Sequence, residues 1–457
     1  MTTQSPDFSA APSSSFAPRL GGEARTLALQ IAAEVRSEWS YATDIISRAF
    51  RTHRGLPSRD RRLVAETVYA LLRLDRWLEA QVDELPTFNR GPTRTMSPVT
   101  RDQAKLLLWE LSQGVPVELV ATELKKLLGY TVSVERLADP ELGLARKTGL
   151  DREAVRLSFP TWLLERFVLD LGEEKAFALA ASMNERAPLT LMTNTRSVER
   201  QALVERLATE GVVAEPTPLS STGLSLRTRV NAFGLPSFQE GLFEVMDEGS
   251  QLVAEVVAPP PGGRVLDACA GAGGKTLALG ALMEGKGRLF AMDVSGKKLE
   301  ELRRRARRAG LSNVAARPIE NNQLPEEARP AAWDRVLVDA PCSGLGTLRR
   351  NPEARWRTSP AELARFPSLQ LSLLVQYAPL VAVGGRLVYA TCTVLRDENE
   401  MVIERFLKER PEFAPVPLKE VLGKPRAEGL GDGDTLRLFP HQHGTDGFFA
   451  AVLRRTR

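Results

Sequence analysis

The stretch Leu266-Asp-Ala-Cys-Ala-Gly-Ala-Gly-Gly-Lys-Thr276 decides how this chain is read. An apolar run breaks into small residues and then enters an apolar helical pattern. Small residues let a backbone approach a ligand closely, and a helix start offers unpaired N–H groups and a positive dipole end. Three ligands could use such a turn. A P-loop needs glycine where Cys269 stands, although Gly274-Lys275-Thr276 fits its end. The dinucleotide pattern GxGxxG has Thr276 at its third glycine. An S-adenosylmethionine site needs less glycine, because no pyrophosphate has to be wrapped.

Working outward, RVLDACAGAGG, RLFAMDVS, NVAARPI, RVLVDAP and GRLVYATCT are apolar strand candidates that end in polar or small-residue turns. Helical patterns follow several of them, notably Lys298–Ala309 and Leu369–Val381. Strands alternating with helices predict an α/β domain with a mostly parallel sheet, covered on both faces. Ligands bind beyond the carboxyl ends of such strands. Asp293 ends the second strand, where a carboxylate can accept hydrogen bonds from ribose hydroxyls. A plain surface Asp is the alternative.

The rest of the chain sets bounds. At 457 residues, two to four domains are expected. Hydrophobic content of 43% with 26% charge excludes global disorder. Lys+Arg of 61 against Asp+Glu of 57 leaves +4, which permits a nucleic-acid partner without demanding one. Three cysteines exclude a disulfide scaffold and point to a reducing compartment. Three histidines and no CxxC argue against a structural zinc, so no metal is expected. No apolar run reaches membrane-helix length, and no basic segment precedes an apolar one at the N-terminus. A cytoplasmic protein without a membrane partner is expected. Nothing suggests an obligate protein partner, and a monomer is expected.

Four segments are expected: a disordered tail over 1–20, a helical domain over 21–150, a small α+β segment over 151–245 and the α/β domain over 246–457. Leu27, Ile31 and Val35 repeat at helical spacing, and Leu63, Val64, Val68, Leu71, Leu72 and Leu78 form a second stripe. Leu106, Leu107, Trp109 and Leu111 form a third. Ser58 and Asp60 offer N-cap chemistry, and 85–100 reads as a loop. Arg48, Arg51, Arg54, Arg59, Arg61, Arg62, Arg73 and Arg76 crowd one region. They make either a solvated helix surface or a phosphate-contacting patch. In 151–245, helical patterns at Leu163–Leu171 and Leu203–Leu207 alternate with strand-like Leu189–Thr193 and Leu224–Leu226.

Every cysteine falls in one predicted crevice. A lone cysteine is usually a small buried hydrophobe, and Cys269, inside the turn, is read that way. Cys342, in Asp339-Ala-Pro-Cys-Ser-Gly344, and Cys392, in Thr391-Cys-Thr393, are read as reactive. A thiolate can add to carbon 6 of a pyrimidine and make carbon 5 able to accept a methyl group. A base then removes the carbon-5 proton and the thiol leaves. Asp339 is placed to bond ring nitrogen 3 and stabilise the adduct. Lys275 is the nearest cation and could orient the base or Asp339.

The Asp-Ala-Pro-Cys-Ser-Gly box, the Thr-Cys box followed by Glu398-Asn399-Glu400, the Gly-Gly-Lys-Thr turn and the closing Asp446-Gly-Phe-Phe-Ala450 are specific as a set. Residues 240–457 resemble the RsmB-like branch of the Sun-domain family of RNA (cytosine-5) methyltransferases. The resemblance implies a Rossmann-like S-adenosylmethionine-dependent methyltransferase domain. It implies Cys392 as nucleophile, Cys342 in product release, and Asp339 contacting base and cofactor. It also implies a cofactor site of Cys269, Ala270, Gly271, Ala272, Gly273, Gly274, Lys275, Asp293 and a third-strand carboxylate. Two departures stand out. Ala272 replaces the family's usual Pro, and the third-strand carboxylate is Glu320 rather than Asp, with Asn321 as the alternative adenine contact. The helical region resembles the family's NusB-like RNA-binding domain, and the middle segment its small RNA-contacting subdomain. By resemblance the substrate is small-subunit (16S) ribosomal RNA. Rival readings are a DNA cytosine-C5 methyltransferase with Cys342 as nucleophile, a non-catalytic RNA-binding assembly factor and, more distantly, a P-loop nucleotidase.

Overall fold

A computed structural model describes residues 19–85, 96–228, 230–321 and 323–457. Residues 1–18 of the expected tail over 1–20 and most of the expected loop over 85–100 lie outside the described residues, whereas Arg19, paired with Glu110 and Glu123, and buried Leu20 are held in the structure rather than forming tail. The chain forms two compact units. The first runs to Glu185 and takes in Leu348–Ser359, and the second holds Arg186–Thr347 and Pro360–Arg457. No helix among the described residues is long and apolar enough to cross a membrane.

The first unit is helical. Its opening helices are Gly22–Glu38, Ala42–Thr52, Ser58–Arg73, Asp75–Glu84, Pro98–Ser112 and Val117–Leu128. Leu27, Ile31, Val35, Val64, Val68 and Leu72 share one core, while Leu71, Leu78 and Leu107 belong to another. The second apolar stripe therefore spans two helices, broken at Leu74. The expected cap does not form. Pro57 stands at the N-cap, Ser58 is already helical, and no side chain caps the end. Proline's preset φ makes a helix start possible without one. The helices Thr161–Leu171 and Glu173–Ser182 also belong to this unit.

The arginine cluster divides by role. Arg61 donates to the carbonyls of Leu56, His53 and Arg54, Arg73 to that of Arg349, and Arg76 to that of Phe159 and to Asp151. Those three tie the unit's own backbone. Arg51, Arg54, Arg59 and Arg62 stand exposed.

The second unit holds two sheets. The smaller contains β1 (Thr190–Thr193), β2 (Ala214–Pro216), β3 (Gly223–Leu226) and β4 (Phe243–Val245), in the antiparallel order β2-β3-β1-β4. The helix Arg200–Thr209 buries Leu203 and Leu207 in its core. The larger contains β5 (Arg264–Asp267), β6 (Arg288–Asp293), β7 (Val314–Pro318), β8 (Trp333–Asp339), β9 (Val381–Thr391), β10 (Phe413–Pro415), β11 (Leu436–Leu438) and β12 (Phe448–Arg455). Its order is β10-β12-β9-β8-β5-β6-β7, with β11 beside β12. Strands β5 to β9 run parallel, and β12 joins antiparallel. The core strands are β-branched and aliphatic because both faces are covered. Val336, Leu337 and Val338 of β8 and Leu387, Val388 and Tyr389 of β9 are fully buried.

This is the expected doubly covered α/β sheet. The helix expected at Leu369–Val381 forms as Phe366–Tyr377, and Val381 already opens β9. Pro379, which has no N–H to continue the helical ladder, lies in the turn between them.

Candidate active site

Strand order reverses at β5, and the crevice beyond its carboxyl end carries the site. The turn after β5 is held on both sides. The Ala268 N–H donates to the carbonyl of Leu337 on β8 and the Ala270 N–H to that of Met292 on β6, each at 2.9 Å. Arg305, paired with Glu244, donates to the carbonyl of Ala272 at 2.7 Å. Gly273 sits at φ +88°, and a Cβ there would lie 2.5 Å from Leu302 Cγ. Its place is therefore fixed both by handedness and by packing. At Gly271 and Gly274 an added Cβ would meet nothing within 4 Å, so the turn offers open backbone to a ligand. The helix Gly274–Leu282 starts there.

Asp293 closes the neighbouring side. Its Oδ2 accepts from the Gly271 N–H and its Oδ1 from the Ser295 N–H, both at 2.8 Å. The strand-end carboxylate is thereby coupled to the glycine turn. Glu320 lies farther along. It follows β7 in a tight turn bridged to Gln323, and it lines an open cavity with Arg317, Pro318, Pro325, Glu326, Glu327 and Arg329. None of residues 269–275 lines that cavity. Asn321 adopts φ +52° in the same turn.

Lys275 Nζ donates to Asp339 Oδ2 at 2.7 Å, and the ammonium also faces the Phe448 ring at 5.3 Å. Burial works against this ammonium, but the charge and hydrogen bond of Asp339 outweigh it and raise its pKa. Lys275 therefore stays charged. Asp267, at the end of β5, is 1% exposed. Its Oδ2 accepts from Thr276 at 2.7 Å while its Oδ1 finds no partner. Burial pushes this carboxyl up to about 7.

The two reactive-read cysteines meet. Cys342, after β8, and Cys392, after β9, place their Sγ atoms 3.3 Å apart. Adjacent parallel strands of matched register bring this about, since Asp339 pairs with Ala390. The backbone locks it. The Gly346 N–H donates to the Cys392 carbonyl at 2.9 Å, and a Cβ at Gly346 would lie 2.8 Å from that oxygen and 2.1 Å from the Gly447 carbonyl. The Cys342 thiol is pushed well up, first by its hydrogen bond to Cys392, then by burial and by the charges of Cys392 and Glu398. Cys342 thus keeps its proton, and the two sulfurs stand within hydrogen-bond reach. Cys269 is also pushed well up, by burial and by the charges of Asp267, Asp339 and Asp293. That is the behaviour of an inert thiol.

Sequence reading missed Asp267, Arg305 and Phe448 as parts of this site, and gave no role to Glu398. Arg305 and Phe448 come from distant segments and carry no local signal. Asp267 and Glu398 do, as carboxylates within two residues of the turn and six of Cys392.

The geometry and the comparisons define the class as a Rossmann-like S-adenosylmethionine-dependent methyltransferase. A family model described as 16S rRNA methyltransferase RsmB/F matches residues 254–454, and one for the RsmF/B ferredoxin-like domain matches 159–232. The chain is 33% identical to the "Probable ribosomal RNA small subunit methyltransferase B" of Synechocystis over 94% of its own length and 99% of that protein's. It is 33% identical to the ribosomal RNA small subunit methyltransferase B of Pseudomonas putida, over 73% and 75%. A crystal structure of PH0851 aligns with TM-score 0.76 at 26% identity, covering 96% of this chain and all of that one. A methyltransferase homolog from Pyrococcus horikoshii aligns at TM-score 0.57 and 30% identity, over 67% and 98%. The chain belongs to the RsmB/F methyltransferase family.

Proposed function

We propose that this protein transfers a methyl group from S-adenosylmethionine to carbon 5 of a cytosine in small-subunit ribosomal RNA, through a transient bond between Cys392 and carbon 6. The observation that carries this reading is the Cys342–Cys392 approach of 3.3 Å beside the Lys275–Asp339 pair. The relatives named for ribosomal RNA support the substrate.

The open turn Cys269–Lys275, with Asp293, fits the cofactor, and Glu320 or Asn321 would meet its adenine. The cofactor supplies an activated methyl group. The protein does the rest. Cys392 attacks carbon 6 as the thiolate, its proton having passed to solvent, with the Cys342 sulfur 3.3 Å away. Asp339, oriented by Lys275, holds the base at nitrogen 3 and stabilises charge developing on the ring. After methylation the carbon-5 proton leaves to a water that the protonated Cys342 thiol positions. The electron pair of that C–H bond reforms the ring double bond and expels the Cys392 sulfur.

Cys392→Ala is expected to abolish transfer, and Cys342→Ala to accumulate a covalent protein–RNA adduct. Normal turnover by Cys342→Ala with no adduct overturns the assignment. An adduct that instead requires Cys342 supports the DNA-type alternative, which labelled-methyl transfer to duplex DNA against RNA decides.

A further inference from the structure

A second carboxylate is built into this site, and the chemistry above uses only its charge, which helps hold up the Cys342 thiol. Glu398 lies six residues after Cys392 and is 1% exposed. Its Oε2 accepts from the Ser343 N–H at 2.9 Å and from Gln370 Nε2 at 3.0 Å. Its Oε1 accepts from Ser343 Oγ at 2.5 Å. Ser343 Oγ also lies 2.9 Å from Thr393 Oγ1. The Glu398 carbonyl accepts from the Tyr389 hydroxyl of β9. Ser343 directly follows Cys342 and Thr393 directly follows Cys392. One buried side chain therefore collects donors from Ser343 beside Cys342, from Gln370 and, by a side-chain hydrogen bond, from Thr393 beside Cys392.

We infer that Glu398 is a positioning residue that clamps the Cys342 loop to the Cys392 loop and so sets the distance between the two sulfurs. A buried carboxylate is costly unless its lone pairs are filled, and here Ser343, Thr393 and Gln370 fill them. Its neighbour Asn399 completes the hold, accepting from Thr391 Oγ1 at 2.6 Å and donating to the Thr393 carbonyl at 3.1 Å. The inference rests on the proposed two-thiol reaction but has its own readout. Glu398→Gln preserves shape yet turns an amide toward three donors, so it is the sharpest variant.

Pairing of the thiols by diamide reports their approach directly. The azo reagent takes both thiol hydrogens, becoming the hydrazine, as the Sγ–Sγ bond forms, and peptide mapping identifies the pair. Wild type is expected to pair Cys342 with Cys392 rapidly. Glu398→Gln is expected to pair them at least tenfold more slowly and to lower kcat at least tenfold, with KM for RNA and Kd for S-adenosylmethionine within twofold. Ser343→Ala, which removes one donor only, is expected to shift pairing and kcat the same way by a smaller factor. Pairing at the wild-type rate in either variant overturns the clamp. A kcat loss that merely tracks a lower Tm and weaker cofactor binding overturns it too. If wild type transfers no methyl to cytosine, the proposed function fails, while the diamide rates still decide the clamp.

Discussion

At the scale of single residues, charge inside the site is regulated by burial and by partners. Lys275 keeps its charge because Asp339 is 2.7 Å away, whereas at Asp267 the Thr276 hydrogen bond, the Lys275 charge and the Cys269 backbone do not offset its burial and the charge of Asp339. Asp267 is held at about 7 against an ordinary 3.8. Between those values the folded protein binds a proton that the unfolded chain has released. Stability therefore falls as pH rises from about 4 to 7, by roughly 4 kcal/mol at most from this group. Asp267→Asn is expected to flatten that slope, read as unfolding free energy in urea at pH 5 and pH 8. The grouping of Cys392 with Cys342 and of Asp339 with Lys275 was legible in sequence because each sits in a short box at a strand end. The state of each group was not, because burial and charge come from neighbours distant in the chain.

At the scale of elements, close backbone approach fixes the loops. An alanine at Gly346 would drive its Cβ against the Gly447 and Cys392 carbonyls, which are backbone and cannot rotate away. Gly346→Ala is expected to cost about 2–3 kcal/mol and to reduce transfer more than cofactor affinity, measured by thermal unfolding and calorimetry. The helical unit offers a second test. Arg51, Arg54, Arg59 and Arg62 are exposed, whereas Arg61 bonds three carbonyls and lies against Phe50. Replacing the exposed four by Ala is expected to weaken RNA binding and to reduce the slope of log affinity against log salt by about 2–4. Arg61→Ala is expected to lower Tm and leave that slope nearly unchanged. Sequence showed eight arginines in one region. Only packing separates those that bind backbone from those that face solvent.

At the scale of the whole molecule, the helical unit is not made from a continuous chain. Leu348–Ser359, just beyond the Cys342 loop, belongs to it. Arg355 is fully buried there. It donates to the Ser158 carbonyl at 3.0 Å and Asn184 Oδ1 at 2.7 Å, and lies over Phe159 at 4.0 Å. Burial pushes its guanidinium down to about 9. Glu353 accepts from the Ala42 N–H at 3.2 Å, at the start of a helix. Trp356 stacks on Trp39 at 5.6 Å. Arg355→Ala is expected to cost about 3–5 kcal/mol by leaving these carbonyls unpaired, and calorimetric unfolding would show the transition of the helical unit moving down.

What the sequence determined by itself was local and repetitive: the alternation of apolar strands with helices, the small-residue turn and the cysteine boxes. These follow from backbone sterics and periodic burial, which operate over a few residues. What only tertiary structure decided was convergence. Strand register brings Cys342 to Cys392, buried donors choose Glu398, and residues 348–359 complete a core begun some three hundred positions earlier. The free energy of those contacts depends on three-dimensional neighbours, and no short window of sequence contains them.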